Sequence, residues 1–177
     1  NAAGISVLTD NEFFGGDLDD LIQTKVLTDI PVLRKDFIID KWQIAEAKAF
    51  GADVILLIAA CLTPSAVKEF AAYAQSIGLE SILEVHNEEE LGHCCGEVSM
   101  VGVNNRNLKT FEVDINVSLQ LIGKIPAGKP AIAESGICSV DTIVTLRNAG
   151  FKGFLIGENF MKEENPGKAF EEFVSEL

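Results

Sequence analysis

Four polar residues interrupt the ends of apolar runs in this 177-residue chain. Lys35 follows 32–33, Glu84 lies near the end of 81–85, Asn104 follows 100–103 together with Arg106, and Glu134 follows 131–133. A cation, two carboxylates and an amide are the groups needed for acid–base work on an anionic substrate, because such chemistry needs a proton donor, an acceptor and an orienting group close to the reacting atoms. Two further pairs, Ser135-Gly136 and Gly157-Glu158, each follow an apolar run and precede a helical segment. Backbone N–H groups at such a junction can point at a phosphate, and glycine lets the backbone approach it closely.

The elements that must position these groups are legible as a repeat. Apolar runs occur at Ile5–Leu8, 32–33, Val54–Ile58, 81–85, 100–103, 131–133 and 153–156. Most are apolar at successive positions, as expected of strands covered on both faces. Helix punctuation lies between them: Asp40 before 41–50 with Gly51 after it, Thr63-Pro64 before a helix closed by Gly78, and Ser139 before one that stops at Gly150. Asn87 and Glu90 have the spacing of a capping box. Strands alternating with helices imply a parallel sheet with right-handed crossovers. Seven strands exceed the usual open doubly wound sheet and fall one short of a closed eight-stranded barrel. The expected fold is therefore α/β: a (β/α)8 TIM barrel lacking its first β/α unit, with seven parallel strands in a single domain, 1–177, incomplete at the N-terminus.

Composition narrows the function. With 14 Lys and Arg against 27 Asp and Glu, the net charge of -13 would repel a nucleic-acid backbone or an anionic membrane surface. Neither is expected as a partner, and an anion must be held by local donors. Cys61, Cys94, Cys95 and Cys138 are too irregularly spaced for a disulfide scaffold and are read as reduced thiols. His86, His93 and the adjacent Cys94-Cys95 lack metal-site spacing, so no metal is expected. No apolar run is long enough for a membrane span and no signal peptide is evident, which points to the cytoplasm. Phe50, Phe70, Phe151, Phe154, Phe170 and Phe173 lie at core spacing and read as packing, as does Trp42 against the sheet. Lys109 reads as a solvated loop residue, and the acidic runs 88–90 and 163–164 as solvated helix starts.

Five motifs, in order along the whole chain, resemble those of the indole-3-glycerol phosphate synthase family. They are Pro31-Val32-Leu33-Arg34-Lys35-Asp36-Phe37-Ile38-Ile39-Asp40, Leu83-Glu84-Val85-His86, Gly102-Val103-Asn104-Asn105-Arg106-Asn107-Leu108, Ala133-Glu134-Ser135-Gly136-Ile137 and Phe154-Leu155-Ile156-Gly157-Glu158. The resemblance implies a (β/α)8 barrel that closes a pyrrole ring on carboxyphenylamino-deoxyribulose phosphate, with loss of carbon dioxide and water. It implies no cofactor and no metal. It makes Lys35 the general acid toward the substrate carbonyl, Glu84 the acid–base partner of the dehydration, Asn104 an orienting amide and Glu134 an inner carboxylate. Ser135, Gly136, Gly157 and Glu158 match the phosphate cradle. Phe14 matches an aromatic that packs on the anthranilate ring, with Phe37 close by, and Arg106 a cation supporting the inner carboxylates.

The family's first strand supplies a further catalytic Glu and Lys, and no segment here matches it. The resemblance therefore implies an N-terminally truncated chain with weak or no activity by itself, prone to self-association through its open barrel edge. Two other readings stand beside it. One is a different phosphate-binding barrel enzyme, such as a phosphoribosylanthranilate isomerase, and the other a silent fragment that binds phosphate or a partner chain.

Overall fold

The computed structural model describes residues 2–177. Its seven strands are β1 (Ile5–Leu8), β2 (Val32–Lys35), β3 (Val54–Ile58), β4 (Glu80–Val85), β5 (Met100–Asn104), β6 (Ala131–Glu134) and β7 (Gly153–Leu155). They lie in one sheet in the order β1 to β7. Seven parallel strands in sequential order are the (β/α)-barrel fold short of one strand. The helices are α1 (Leu18–Leu27), α2 (Lys41–Ala49), α3 (Pro64–Ser76), α4 (Asn116–Leu121), α5 (Val140–Ala149), α6 (Glu158–Met161) and α7 (Pro166–Ser175). No helix among the described residues is long and apolar enough to cross a membrane.

Two compact units divide the contacts: Ala2–Glu84 with Gly92–Met100, and Val85–Leu91 with Val101–Leu177. In the first, Ile55, Leu56 and Leu57 of β3 are wholly buried, as the unbroken apolar run requires, and Ile44, Ala47, Val67 and Ala74 of the covering helices are wholly buried too. Full burial of each large aliphatic side chain contributes roughly 1.5–3 kcal/mol relative to exposure. In the second unit Val101, Val103 and Ala133 from β5 and β6 are buried, as are Ile143, Leu146 and Phe151.

Helix starts follow the caps. Asp40 accepts from the Trp42 N–H and Gln43 completes a capping box for α2. Thr63 Oγ1 accepts from the Ala66 N–H with Pro64 at the first position of α3, and Ser139 accepts from the Thr142 N–H at α5. Asp17 does the same for α1, a helix that no punctuation had marked. Elsewhere the structure departs from expectation. Asn87 Oδ1 accepts from the Glu90 N–H, but the segment that follows is a 3-10 helix, Glu89–His93. There burial raises the Glu90 carboxyl, but its hydrogen bonds from the His86 ring and N–H, and from the Asn87 amide, together outweigh this and hold it below the usual carboxylate range. Trp42 is 81% exposed and does not pack on the sheet. The buried stripe of α2 runs through Ile44 and Ala47, and a residue two positions before Ile44 falls on another side of the helix.

Candidate active site

Each of the four polar residues sits in the last one or two positions of its strand: Lys35 ends β2, Glu84 is next to last in β4, and Asn104 and Glu134 end β5 and β6. In barrels of this class the chemistry lies at the C-terminal strand ends. All four are strand residues: at Lys35, Asn104 and Glu134 the strand runs one or two residues past the apolar stretch that marks it in the sequence.

In the first unit Lys35 Nζ stands 3.4 Å from Glu84 Oε2, with the side chains 15% and 3% exposed. A carboxylate so little exposed needs a partner of opposite charge or several donors, and the β3–β4 register that pairs Ile58 with Glu84 aims it. Phe14 stacks on Phe37 with ring centroids 4.9 Å apart, and Phe13 meets Phe37 edge-on. The loop that carries these rings is folded by Asp10, whose Oδ2 accepts from the N–H groups of Phe13 and Phe14. Gly16 passes so close to the Leu8 carbonyl that any Cβ would overlap it.

In the second unit Asn104 and Glu134 are register partners across β5 and β6, and Glu134 is 1% exposed. Asn104 Oδ1 accepts from the Arg106 N–H at 2.9 Å. Ser135 and Gly136 follow Glu134 with φ of 63° and 71°, two successive left-handed residues, the first of them not glycine. Non-glycine residues rarely adopt this region, and those that do gather at functional loops. Buried Asn105 sets this turn, since its Nδ2 donates to the Ser135 carbonyl and its Oδ1 accepts from the Ser118 N–H. The Arg106 guanidinium reaches the Glu158 carboxylate at the start of α6. The negative Glu158 side chain is thereby balanced by Arg106.

Asn105 escaped the sequence reading although it lay in the quoted motif. So did Arg34, Asp36 and Thr9, which form a buried polar cluster beneath Lys35. The available signal was a buried-type apolar stretch containing both an Arg and an Asp.

The model of the family described as indole-3-glycerol phosphate synthase matches residues 1–173. The chain belongs to the indole-3-glycerol phosphate synthase family. Among synthases of that name, those from Bacteroides thetaiotaomicron and Variovorax paradoxus are each 46% identical, over 176 and 170 residues. These stretches cover 99% and 96% of this chain but 68% and 64% of those proteins, so the chain spans about two thirds of the length of such relatives. Solved structures similar to this synthase-family chain include a 3-hexulose-6-phosphate synthase, with a TM-score of 0.76 at 17% identity over 97% of this chain and 86% of that one. Another is the tryptophan synthase A-subunit of Pyrococcus furiosus, with a TM-score of 0.66 at 17% identity over 90% and 71%. At that identity they speak for the barrel fold alone.

Proposed function

We propose that this chain carries the greater part of the catalytic apparatus of an indole-3-glycerol phosphate synthase, a cytoplasmic lyase acting on 1-(2-carboxyphenylamino)-1-deoxyribulose 5-phosphate. The observation that carries the reading is the pair of half-buried Lys35 and buried Glu84, 3.4 Å apart at the ends of β2 and β4, in a chain of this family.

Ring closure joins the ring carbon that bears the carboxylate to the ketone carbon, and electrons move onto the ketone oxygen. Lys35 donates a proton to that oxygen as the charge develops. Carbon dioxide then leaves, its C–C electron pair restoring the aromatic ring, a step favoured by an apolar surround. Dehydration follows: the hydroxyl leaves as water with a proton from Glu84 in its acid form, and the adjacent ring carbon gives up its proton to the carboxylate so formed as the double bond of the indole is made. Asn104 and Glu134 orient the substrate, Phe14 and Phe37 pack on its aromatic ring, and Arg106 offsets the charge of Glu158. The backbone of Ser135, Gly136, Gly157 and Glu158 holds the phosphate, so that binding energy gathered there positions the reacting carbons.

On the same reading the 177 residues turn over slowly by themselves, because the family's first strand carries two further groups of the site. The test measures indole-3-glycerol phosphate formed by this polypeptide and by one preceded by a family first β/α unit. The longer one is expected to be much the faster, and Lys35→Met to abolish its turnover. Equal rates for the two would sink the slow-turnover proposal. No product from the longer polypeptide, or full activity in Lys35→Met, would sink the functional one.

A further inference from the structure

We infer that Thr9, Arg34 and Asp36 form a positioning device for Lys35, an inference that rests on the functional reading above. Strand alternation sends Lys35 to one face of β2 and Arg34 to the other, towards α2. The Arg34 guanidinium is 3% exposed, and its donors are spent in three directions. Nη2 donates to Asp36 Oδ2 at 2.9 Å and Nε to both Asp36 Oδ2 and Thr9 Oγ1 at 3.1 Å. Nη1 donates to the Gln43 carbonyl at 2.8 Å and pairs with Glu46 at 2.9 Å.

Thr9 closes the arrangement from just past the end of β1. Its hydroxyl donates to Asp36 Oδ2 at 2.6 Å and its N–H to the Lys35 carbonyl at 3.1 Å. Gln43 holds the next stretch, its Nε2 donating to the Phe37 carbonyl and its Oε1 accepting from the Ile39 and Asp40 N–H groups. The backbone of Lys35 is thereby gripped by the residues on either side of it, by β1 and by α2.

Stability alone is a poor account of this cluster. A buried ion pair recovers its desolvation penalty only with good geometry, and apolar residues of similar volume often stabilise as well or better. What such a network does supply is one fixed backbone geometry. Here that geometry sets the root of the side chain whose ammonium must meet a carbonyl oxygen, and a displacement of about 1 Å there can lower a rate by a factor of ~100.

The test replaces Thr9 by Val, which keeps the shape and removes the hydroxyl, with Thr9→Ser as the conservative variant. Two measurements are made on each: competitive acetylation of the lysines read by mass spectrometry, and kcat and KM in the longer, active polypeptide. In Thr9→Val, acetylation of Lys35 relative to the exposed lysines is expected to change several-fold and kcat to fall by about tenfold. KM stays close to the parent's, the melting temperature falls by a few degrees with the protein still fully folded at the assay temperature, and Thr9→Ser restores both readings. Lys35 acetylation indifferent to Thr9→Val, or a loss of kcat that only follows the unfolded fraction, would overturn the inference. If acetylation responds to Thr9 while the parent makes no product, the functional reading fails and the positioning of Lys35 stands.

Discussion

At the scale of single residues, the backbone after β6 is as specialised as the side chains before it. Gly136 takes a φ of 71° and a Cβ there would overlap the Val113 side chain, so Gly136→Ala meets both strain and a clash. It is expected to lower stability by about 1–3 kcal/mol in a urea titration, and to weaken inorganic phosphate binding where measured by calorimetry. Unchanged affinity in the folded variant would remove Gly136 from the proposed cradle. Thiol chemistry is also set locally. Burial, followed by hydrogen bonding to Glu97, pushes the Cys95 thiol above its ordinary value, whereas Cys61 and Cys138 are exposed. Alkylation of the folded protein near pH 8 followed by peptide mapping should therefore modify Cys138 well before Cys95, since the thiolate is the reactive form.

Between elements, the lower ends of the strands are tied by charge. Asp53, just before β3, accepts from Lys25 Nζ of α1 at 2.7 Å and from the Val32 N–H of β2 at 2.9 Å. Burial raises the Asp53 carboxyl, but these bonds and the Lys25 charge outweigh it and hold the group below its ordinary value. A carboxyl with a depressed folded-state pKa stabilises the fold above its unfolded value of about 3.9, and that stability is lost as pH falls through the folded value. Both partners are about a third exposed or more, so screening limits the effect, and Asp53→Asn should cost about 1 kcal/mol or less at pH 7. The parent–variant difference in denaturant midpoint should shrink steadily as the pH is lowered below about 4. A difference that grows on acidification would contradict this. The same scale explains why some helices were readable and others were not. Thr63-Pro64, Ser139 and Asp40 announce α3, α5 and α2 through caps within a few residues. Asn87 carries the same local signal, yet the neighbouring His86 competes for Glu90 and the segment becomes a 3-10 turn.

For the whole molecule, β1 and β7 are the two end strands of the sheet. End strands present unpaired backbone groups to other chains, and α1 adds Val26 and Leu27, both more than 80% exposed. Mass from light scattering should accordingly rise with concentration, and a mass of one chain throughout would rule out this association. The seven strands and the polar residues at their ends could be read from the chain itself. A strand buried on both faces is a run of apolar residues, so a Lys, Glu or Asn at its end stands out without any coordinates. The partnerships could not. Lys35 meets Glu84 across 49 positions and Thr9 meets Asp36 across 27. Which side chains touch depends on strand register, and a shift of one residue would turn each of them to the other face. That is why Lys35 was visible from its own neighbours, while the cluster that roots it, and the pairing of Arg106 with Glu158, appeared only once the strands and loops were packed together.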